Sequence, residues 1–277
     1  MTAANRADRY AVMGNPIAHS KSPLIHRLFA EQTDQNLVYE AILVDPGGFA
    51  DAVTAFTGSA GKGLNVTVPL KQEAWQMADR LSGRAQRAGA VNTLQIGNDG
   101  KLSGDNTDGV GLVRDLIGNL GLTLSGKQLL VLGAGGAVRG ILAPLLEQNP
   151  SRLRIANRTV ERARQLATEF SDLGELEGCG FGDLNGTRFD IIINATAAGL
   201  HGQVPDLPNG VIDPAGCCYD LMYAPEPTAF VRYARQRGVR AAFDGLGMLV
   251  EQAAESFRIW RGVTPDTAPV IATLRNR

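Results

Sequence analysis

Long apolar runs are absent from the 277-residue sequence, and no stretch approaches the ~20 apolar residues that a membrane-spanning helix needs. Residues 1–10 are polar and lack the apolar core of a secretory signal, so we expect a soluble, cytoplasmic protein. Cysteine is also scarce. The three thiols, Cys179, Cys217 and Cys218, have no metal-ligand spacing, and their number and placement predict a reduced compartment.

An excess of basic charge is missing as well, since 27 Lys and Arg face 28 Asp and Glu for a net charge of −1. Binding to nucleic-acid phosphates requires a basic face, so nucleic acid is not an expected partner. The three histidines show no ligand spacing, and no metal site is predicted. Small molecules are therefore the expected partners of a chain that is long enough for two domains.

Short apolar segments alternate with helical ones up to about Asn106. Strands are predicted at residues 10–13, 38–44, 63–68 and 90–96, and the turn Asn98-Asp99-Gly100 predicts a hairpin to a strand at residues 101–103. The first helix is expected to begin at Ser22, whose hydroxyl would cap it, with Pro23 at the first helical position. This alternation predicts an α/β domain.

After Thr107 the alternation becomes regular. The pattern predicts a helix to about Leu120, strands at residues 128–132, 152–156, 190–195 and 217–221, a helix at residues 136–148 and another through Phe170. The strand at residues 190–195 is an almost continuous apolar run, as expected where helices cover both faces of a sheet. A doubly wound parallel sheet of the Rossmann type is therefore predicted, continuing to about Ala242.

The segment at residues 246–260 is strongly helical and has Leu249, Ala253, Phe257 and Trp260 on one face. We expect this C-terminal helix to return to the first lobe and pack there. No linker rich in Pro, Gly or Ser separates the halves. The predicted fold class is therefore α/β with two lobes, of which the first is an N-terminal α/β domain at residues 1–106 plus 243–277 and the second the Rossmann-type sheet at residues 107–242.

A glycine-rich turn follows the predicted strand at residues 128–132. The next helix is preceded by Gly133-Ala134-Gly135-Gly136-Ala137, and its N-terminal amides and dipole would hold a pyrophosphate. Val138 stands where the G-x-G-x-x-G fingerprint has its third glycine, so helix and strand are expected to pack less closely there. Alone, the motif is equally typical of an ordinary turn, but the strand and helix around it favour a dinucleotide site.

The end of the next predicted strand lacks the acid that an NAD-selective site uses to bind the ribose hydroxyls. Arg158 and Arg162 can instead neutralise a 2′-phosphate, while Thr159 can cap the following helix and bond the same phosphate. Each charge-assisted hydrogen bond contributes roughly 1.5 to 3 kcal/mol, enough for a cofactor preference on the order of tenfold to a hundredfold. NADP is the predicted cofactor; the alternative is that both arginines are solvated charges on a helix surface.

An amide, a hydroxyl and an ammonium surround one short strand end in Asn65-Val66-Thr67-Val68-Pro69-Leu70-Lys71. A carboxylate follows in Gly104-Asp105-Asn106-Thr107-Asp108-Gly109. Without context, Lys71 would be a solvated lysine at the start of a surface helix. Together with the glycine turn, the pattern instead predicts that Lys71 and Asp108 form a pair facing a bound nucleotide cofactor.

With these residues in place, the sequence resembles the shikimate dehydrogenase family, NADP-dependent enzymes that interconvert 3-dehydroshikimate and shikimate in aromatic amino-acid biosynthesis. Besides the motifs above, the resemblance is carried by Gly14-Asn15-Pro16-Ile17-Ala18-His19-Ser20-Lys21-Ser22-Pro23, Ala88-Gly89-Ala90-Val91-Asn92-Thr93, Asn194-Ala195-Thr196 and Asp244-Gly245-Leu246-Gly247-Met248-Leu249-Val250. These motifs span nearly the whole chain in one order, which makes the resemblance highly specific.

The resemblance implies a role for each site residue. It implies shikimate contacts at Ser20, Ser22, Thr67, Lys71, Asn92, Asp108, Tyr223 and Gln252, with Lys71 and Asp108 as the catalytic pair. It implies NADP contacts at Gly133, Ala134, Gly135, Gly136, Ala137, Asn157, Arg158, Thr159, Arg162, Leu221 and Gly245. Leu221 stands where relatives often have methionine. Residues 1–106 plus 243–277 would then be the substrate-binding and catalytic domain, and residues 107–242 the NADP-binding domain.

The residue chemistry suits a small ring that bears a carboxylate and several hydroxyls. Ser20 and Ser22 lie at a predicted helix N-terminus, where hydroxyls and free amides favour a carboxylate. Ring hydroxyls can pair with Asn65, Thr67, Asn92 and Asp108, and analogues that leave such partners unpaired would be penalised. We expect hydride from NADPH to reach the ketone carbon while Lys71, oriented by Asp108, supplies the proton to its oxygen.

Two other functions stay open at this point. A quinate/shikimate dehydrogenase that uses NAD is the nearest alternative, and it is disfavoured by Arg158. A non-catalytic nucleotide-sensing module could keep the glycine turn and lose the substrate groups, but Lys71 and Asp108 are both present. A monomer and a homodimer are both compatible with such a fold.

Overall fold

The structure is a computed structural model, which describes residues 7–196, 198 and 202–276. The chain divides into two compact units, the first ending at Gly111 and including Val250–Asn276, and the second formed by Leu112–Leu249. Both boundaries fall inside helices, a few residues beyond the crossings expected near residues 106 and 243. Each unit has its own sheet and its own core.

The first unit is built on a six-stranded mixed sheet with the order β2-β1-β3-β5-β6-β4. Its elements up to the first crossing are β1 (Asp8–Gly14), α1 (Ser22–Gln32), β2 (Leu37–Leu43), α2 (Phe49–Gly58), β3 (Gly61–Val66), α3 (Lys71–Met77), β4 (Arg80–Leu81), α4 (Gly83–Ala88), β5 (Thr93–Ile96), β6 (Leu102–Asp105) and α5 (Asp108–Arg114). Strand β1 runs parallel to β2 and β3, whereas β5 is antiparallel to both of its neighbours. The predicted α/β architecture of this unit is confirmed.

The predicted strand at residues 90–96 is shorter than expected, because β5 begins only at Thr93. The amide of Val91 donates to the Lys71 carbonyl at 2.9 Å instead of joining a strand ladder. This bond ties the segment before β5 to the first residue of α3. The segment that departs from the predicted strand therefore contacts Lys71, the lysine of the predicted catalytic pair.

The second unit has a six-stranded sheet in which all neighbours are parallel, in the order β12-β11-β10-β7-β8-β9. Its elements are β7 (Gln128–Leu132), α6 (Gly136–Leu146), β8 (Arg152–Ala156), α7 (Val160–Glu169), β9 (Leu176–Cys179), β10 (Phe189–Asn194), β11 (Ile212–Asp220), α8 (Ala229–Gln236) and β12 (Ala241–Phe243), with a π-helical turn at Asp115–Asn119 directly after α5. Numbered within the unit, this is the doubly wound order 3-2-1-4-5-6, so the Rossmann-type prediction is confirmed.

Strand β9 was not predicted, because it is short and contains a glycine. A Cβ added at Gly178 would lie 2.3 Å from the carbonyl carbon of Ala163, so only glycine lets α7 approach this edge of the sheet so closely. The glycine that weakens the strand signal in the sequence is thus required by helix packing.

Helix α9 (Leu246–Arg261) returns to the first unit, and α10 (Ala268–Arg275) follows it. Ala253 and Phe257 are fully buried, and Trp260 Nε1 donates to the Leu94 carbonyl of β5 at 3.0 Å. A Cβ at Gly111 would lie 2.7 Å from the backbone nitrogen of Gln252, so α5 and α9 touch at their backbones within this unit. The predicted return of the C-terminal helix is confirmed.

Candidate active site

The ammonium and carboxylate predicted as a catalytic pair lie side by side in the first unit. Lys71 Nζ is 2.5 Å from Asp108 Oδ2. Lys71 is the first residue of α3 and Asp108 the first of α5, so two helix starts bring the charges together. The side chains are 24% and 11% exposed, which shields the pair from bulk water but leaves the ammonium accessible. A charge-assisted hydrogen bond of this length holds the ammonium in one place.

Asn92 binds the second oxygen of Asp108. Its Nδ2 donates to Asp108 Oδ1 at 2.8 Å, while its Oδ1 accepts from the backbone N–H of Thr107 at 2.9 Å. Because only an oxygen can accept from that N–H, the amide cannot be turned over, and Nδ2 must face Asp108. Both carboxylate oxygens are therefore acceptors, one for Asn92 and one for Lys71.

Three buried hydroxyls surround the Asn92 amide. Thr93 Oγ1 is 2.8 Å from Ser256 Oγ, and Thr107 Oγ1 is 3.3 Å from the same atom. Gln252 Oε1 accepts from Asn92 Nδ2 at 3.3 Å and from Thr107 Oγ1 at 3.4 Å. Buried polar groups are costly unless they are hydrogen-bonded, so this layer fixes the orientation of both amides.

Asn65 of β3 extends the network towards β2. Its Nδ2 donates to Ser256 Oγ at 3.0 Å, and its Oδ1 accepts from the Tyr39 hydroxyl at 2.7 Å. His26 stacks on the Tyr39 ring, with centroids 4.1 Å apart and planes at 4°. Burial raises the pKa of Tyr39 well above its usual value and lowers the pKa of His26 to about 3, so both rings are neutral at pH 7. Tyr39 is therefore a neutral donor that orients the Asn65 amide.

Ser20 and Ser22 flank the start of α1, but the predicted cap at Ser22 is wrong. The backbone of Lys21 is already helical, with φ −85° and ψ −7°, so Lys21 is the N-cap, Ser22 the first helical residue and Pro23 the second. No side chain caps the helix from Lys21. Instead, Ser20 Oγ accepts from the Ser22 amide at 3.3 Å, which places a hydroxyl from outside the helix at this N-terminus.

Thr67 lies directly after β3, beside the end of β1. A Cβ added at Gly14 would lie 2.4 Å from Thr67 Cγ2, so the glycine is what lets Thr67 approach β1. Among the described residues, the side chains of Ser20, Ser22 and Thr67 do not bond directly to Lys71 or Asp108. Ser20 and Thr67 therefore share the unit of the catalytic pair without belonging to its hydrogen-bond network, whereas the Ser22 side chain is hydrogen-bonded to Tyr39 at the edge of that network.

In the second unit, Gly133 directly follows β7, the strand that leads into the glycine turn. Its φ of +109° is a conformation that side-chain-bearing residues rarely adopt, and a Cβ there would lie 3.0 Å from the Ala195 carbonyl oxygen. The Gly133 amide donates to the Ala156 carbonyl at 2.8 Å. Glycine is therefore required here by the backbone itself.

The N-terminus of α6 opens to the surface. Gly135 is its N-cap and Gly136 its first residue, and a Cβ at either position would meet nothing within 4 Å. Ala134 is half-buried, Ala137 is exposed, and no acidic residue occupies the first turn. Val138, which replaces the third glycine of the fingerprint, is fully buried, and its side chain packs in the core of this unit. The first amides of α6 can therefore bind an anion.

Arg158, Thr159 and Arg162 follow β8 and are all exposed. Within the described part of the chain neither arginine has an ion-pair partner. Thr159 is the N-cap of α7 as predicted, but its side chain makes no cap hydrogen bond, so the helix does not use this hydroxyl. Asn157 Nδ2 donates to the Thr159 carbonyl at 2.9 Å and shapes the turn. Two uncompensated cations beside open helix amides fit the 2′-phosphate and pyrophosphate of NADP.

Leu221, Tyr223 and Gly245 follow β11 and β12. The Leu221 amide donates to the Asn194 carbonyl at 2.9 Å, and the Gly245 amide to the Met222 carbonyl at 3.0 Å. A Cβ at Gly245 would lie 2.3 Å from the Leu221 carbonyl oxygen, so glycine is required for this approach. Burial raises the pKa of Tyr223, which keeps its hydroxyl neutral at pH 7. These residues all follow the carboxyl ends of strands, where doubly wound sheets bind ligands.

Four polar residues of the first network were not predicted from the sequence: Tyr39, Thr93, Thr107 and Ser256. Ser256 is one helical turn beyond Gln252, and the two threonines adjoin predicted site residues, so a local signal existed for these three. Tyr39 had none, because its contact with β3 depends on the order of strands in the sheet. Residue spacing alone could have found Thr93, Thr107 and Ser256.

Other chemistry is limited in the described ranges 7–196 and 202–276. There, no group of His, Cys, Asp or Glu could hold a metal ion, and no helix has the length and apolar character needed to cross a bilayer. Burial raises the pKa of Cys179 to about 11 and those of Cys217 and Cys218 to about 12, so these thiols are not nucleophiles at pH 7. His201, which was considered with the other histidines, lies outside the described residues.

A doubly wound sheet that offers open amides and uncompensated arginines to a phosphate-rich ligand is typical of NADP-dependent oxidoreductases. The lysine of the first unit adds the group that such an enzyme needs to move a proton. Family models match the chain in three segments: shikimate dehydrogenase substrate binding domain at residues 12–94, shikimate / quinate 5-dehydrogenase at residues 116–201, and shikimate 5′-dehydrogenase C-terminal domain at residues 245–275. The chain belongs to the shikimate dehydrogenase family.

Individual relatives agree with this assignment. The chain is 60% identical over 267 residues to shikimate dehydrogenase (NADP(+)) of Methylococcus capsulatus, covering 96% of each chain. It is similar to the crystal structure of an Ael1 enzyme from Pseudomonas putida, with a TM-score of 0.91 and 47% identity over 97% of this chain and 98% of that one. The shikimate 5-dehydrogenase of Thermus thermophilus in complex with NADP(H) and shikimate gives a TM-score of 0.86 and 35% identity, covering 97% and 99%. The predicted family, fold class and cofactor are confirmed.

Proposed function

We propose that the chain catalyses the reversible, NADP-dependent reduction of 3-dehydroshikimate to shikimate, with Lys71 as proton donor and acceptor and Asp108 as the group that orients it. The observation that carries this is the 2.5 Å bond between Lys71 Nζ and Asp108 Oδ2 in a partly shielded position. The name shikimate dehydrogenase (NADP(+)) of a relative with 60% identity supplies the substrate and the cofactor. The nucleotide-sensing alternative is set aside because such relatives are named as enzymes.

Substrate binding is assigned mainly to the first unit. The proposed contacts are Ser20, Ser22, Asn65, Thr67, Lys71, Asn92, Asp108 and Gln252, with Tyr223 added from the second unit through the family resemblance. The open start of α1, with the Ser20 hydroxyl beside it, suits the carboxylate of the ring. The amides of Asn92 and Gln252 are fixed in orientation and suit ring hydroxyls. An analogue that left one of these groups unpaired would lose about 1 to 3 kcal/mol of binding.

The second unit would hold the cofactor. Its proposed NADP contacts are Gly133, Ala134, Gly135, Gly136, Ala137, Asn157, Arg158, Thr159, Arg162, Leu221 and Gly245. Their support is the exposed N-terminus of α6 and the two exposed arginines without ion-pair partners in the described segments. When bound, the nicotinamide ring supplies or accepts the hydride.

The remaining chemistry belongs to three side chains of the first unit. In reduction, the Lys71 ammonium donates a proton to the oxygen that develops negative charge, and in oxidation neutral Lys71 takes it back. Asp108 Oδ2 orients the Lys71 ammonium, and Asn92 Nδ2 orients Asp108 by donating to Asp108 Oδ1. A correctly placed acid or base of this kind contributes ~10² to 10⁴ in rate.

Turnover with defined substrates tests this proposal. Shikimate or quinate is combined with NADP or NAD, and the absorbance of the reduced nicotinamide is followed. We expect turnover with shikimate and NADP to be the most efficient of the four combinations. Faster turnover of quinate with NAD would establish the quinate/shikimate alternative, and no turnover in any combination would refute a dehydrogenase function.

We also propose that the protein is cytoplasmic, binds no nucleic acid and is either a monomer or a homodimer. The three buried free thiols support a reducing compartment. The net charge of −1 gives no general attraction to polyphosphates. Cell fractionation, a DNA-retention assay and light scattering after gel filtration test the three statements separately.

A further inference from the structure

One buried carboxylate closes the loop that follows β11. Asp220 is the last residue of β11 and is fully buried. Its Oδ1 accepts from the Met222 amide at 3.2 Å and from Asn194 Nδ2 at 3.0 Å, while its Oδ2 accepts from Thr228 Oγ1 at 2.6 Å. Met222 begins the loop, and Thr228 ends it as the N-cap of α8. A single side chain therefore binds both ends of residues 222–228.

Burying the Asp220 carboxylate costs free energy of folding. Within the described residues it has no salt bridge, and burial raises its pKa, offset by the hydrogen bonds from Thr228, Met222 and Asn194. Burying a charge without a cation is unfavourable, and apolar groups of similar volume often stabilise a core as well or better. The geometry that Asp220 imposes on its donors therefore explains its presence better than stability does.

Two residues assigned to ligand contacts lie on either side of Met222, the first residue of this loop. Leu221 and Tyr223 flank Met222, whose amide is bound by Asp220 and whose carbonyl accepts from the Gly245 amide at 3.0 Å. The Leu221 amide is bound as well, by the Asn194 carbonyl at 2.9 Å. With the peptides around Met222 fixed on both sides, the directions of Leu221 and Tyr223 are set by the backbone.

Through Asn194, Asp220 also fixes the conformation at the end of β10, the neighbouring strand. Its Nδ2 donates to Asp220, so its Oδ1 is left to accept from the Thr196 amide at 3.2 Å and the Thr196 hydroxyl at 2.8 Å. The residue between them, Ala195, limits the space beside Gly133 in the glycine turn. Asp220 thus orients the asparagine that shapes the ends of two neighbouring strands.

We propose that Asp220 is a positioning residue for the dehydrogenase reaction. It holds residues 221–228 and the Asn194 amide so that Leu221 and Tyr223 are presented to the bound ligands, without touching these ligands itself. The inference rests on the proposed function, because Leu221 and Tyr223 are assigned through that function.

Two pairs of variants separate positioning from stability. Asp220→Ala removes all three acceptors, whereas Asp220→Asn keeps its oxygen towards Met222 and Asn194 and can donate from its amide nitrogen to Thr228 Oγ1. Thr228→Val removes the bond to Asp220 at the far end of the loop together with the cap bond that Thr228 Oγ1 accepts from the Val231 amide, and Thr228→Ser keeps both. Ile192→Val is the matched control, because Ile192 is fully buried in β10 two residues before Asn194 and has no polar contacts.

The kinetic readout is kcat and KM for shikimate and NADP, per mole of folded protein, alongside the thermal midpoint. We expect Asp220→Ala to lower kcat/KM for shikimate on the order of 10- to 100-fold, as misplaced contact groups do. Asp220→Asn should keep a kcat/KM for shikimate close to the wild-type value. The kcat/KM of Thr228→Ser should be higher than that of Thr228→Val. Ile192→Val should lower only the thermal midpoint. If Asp220→Ala does not fold, the two Thr228 variants decide, and equal kinetics for them overturn the inference.

Hydrogen exchange of the full chain gives a readout that does not depend on turnover. Asp220→Ala should speed exchange in peptides covering residues 221–228 while those covering β7 keep wild-type protection. Wild-type turnover with unchanged kinetics and unchanged exchange in Asp220→Ala overturns the positioning role alone. Absence of wild-type turnover refutes the proposed function instead, and the exchange data then show separately whether Asp220 holds the loop.

Discussion

Replacing Asp108 with asparagine separates the charge of the catalytic carboxylate from its shape. The variant has one side-chain oxygen where the native residue uses two. Asn92 Nδ2 cannot turn away, because Asn92 Oδ1 is held by the Thr107 amide at 2.9 Å. The remaining oxygen in Asp108→Asn must therefore face Asn92, and the new NH₂ group then faces Lys71 Nζ, where the acceptor lay 2.5 Å away. The new amide nitrogen and Lys71 Nζ are both donors, so no hydrogen bond would orient the Lys71 ammonium from this side.

The expected loss follows from the bond that disappears. A hydrogen bond to a charged group contributes roughly 1.5 to 3 kcal/mol. If that free energy serves to orient the ammonium in the transition state, kcat falls by about 10- to 150-fold, since each ~1.36 kcal/mol is a factor of ten in rate. The KM for NADP should stay near the wild-type value, because every proposed NADP contact lies in the second unit.

Steady-state oxidation of shikimate, followed by the absorbance of NADPH, measures both constants. Asp79→Asn is the control, because Asp79 is also in the first unit and Asp79 Oδ2 accepts from the Leu102 amide at 2.8 Å, outside the Lys71 network. Its kcat should stay within about twofold of wild type, as expected for a surface change. A kcat for Asp108→Asn that equals the kcat of the control would show that the Asp108 carboxylate does not orient Lys71.

Three further predictions concern other parts of the chain. Lys71→Ala should lower kcat by ~10² to 10⁴ while shikimate still binds in calorimetry, and near-normal turnover would exclude Lys71 as the proton donor. Arg158→Asp should raise the KM for NADP much more than that for NAD, whereas equal effects would show that Arg158 does not bind the 2′-phosphate. Burial holds the pKa of His26 at about 3 in the folded chain. When the pH is lowered below the pKa of histidine in the unfolded chain, only the unfolded chain takes up a proton, so stability decreases as the pH is lowered. Between pH 7 and pH 5 the free energy of unfolding in urea should fall by about 2 kcal/mol more for wild type than for His26→Phe, and parallel curves would contradict a neutral buried imidazole.

The site residues that the sequence identified share a local signature. Lys71 follows a strand and a proline, Asp108 begins a helix after a polar turn, and Gly133 to Ala137 connect a strand to a helix. Arg158 could be predicted to bind NADP because it stands near the strand end where an NAD-selective site has an acidic residue. Such features are readable because strand ends, helix starts and turns are set by residues close in the chain. The same holds for most strands of the second unit, which read as apolar runs.

The tertiary structure decided contacts between distant segments. Tyr39 meets Asn65 only because the sheet order is β2-β1-β3, and Ser256 reaches Thr93 only because α9 returns to the first unit. The N-cap of α1 is Lys21 and not Ser22, because the backbone of Lys21 is already helical, which the capping preference of serine could not reveal. Residue types thus determined which groups are proposed to carry the chemistry of this protein. Packing determined how each group is oriented, because a buried amide or carboxylate has only the partners that long-range folding brings to it.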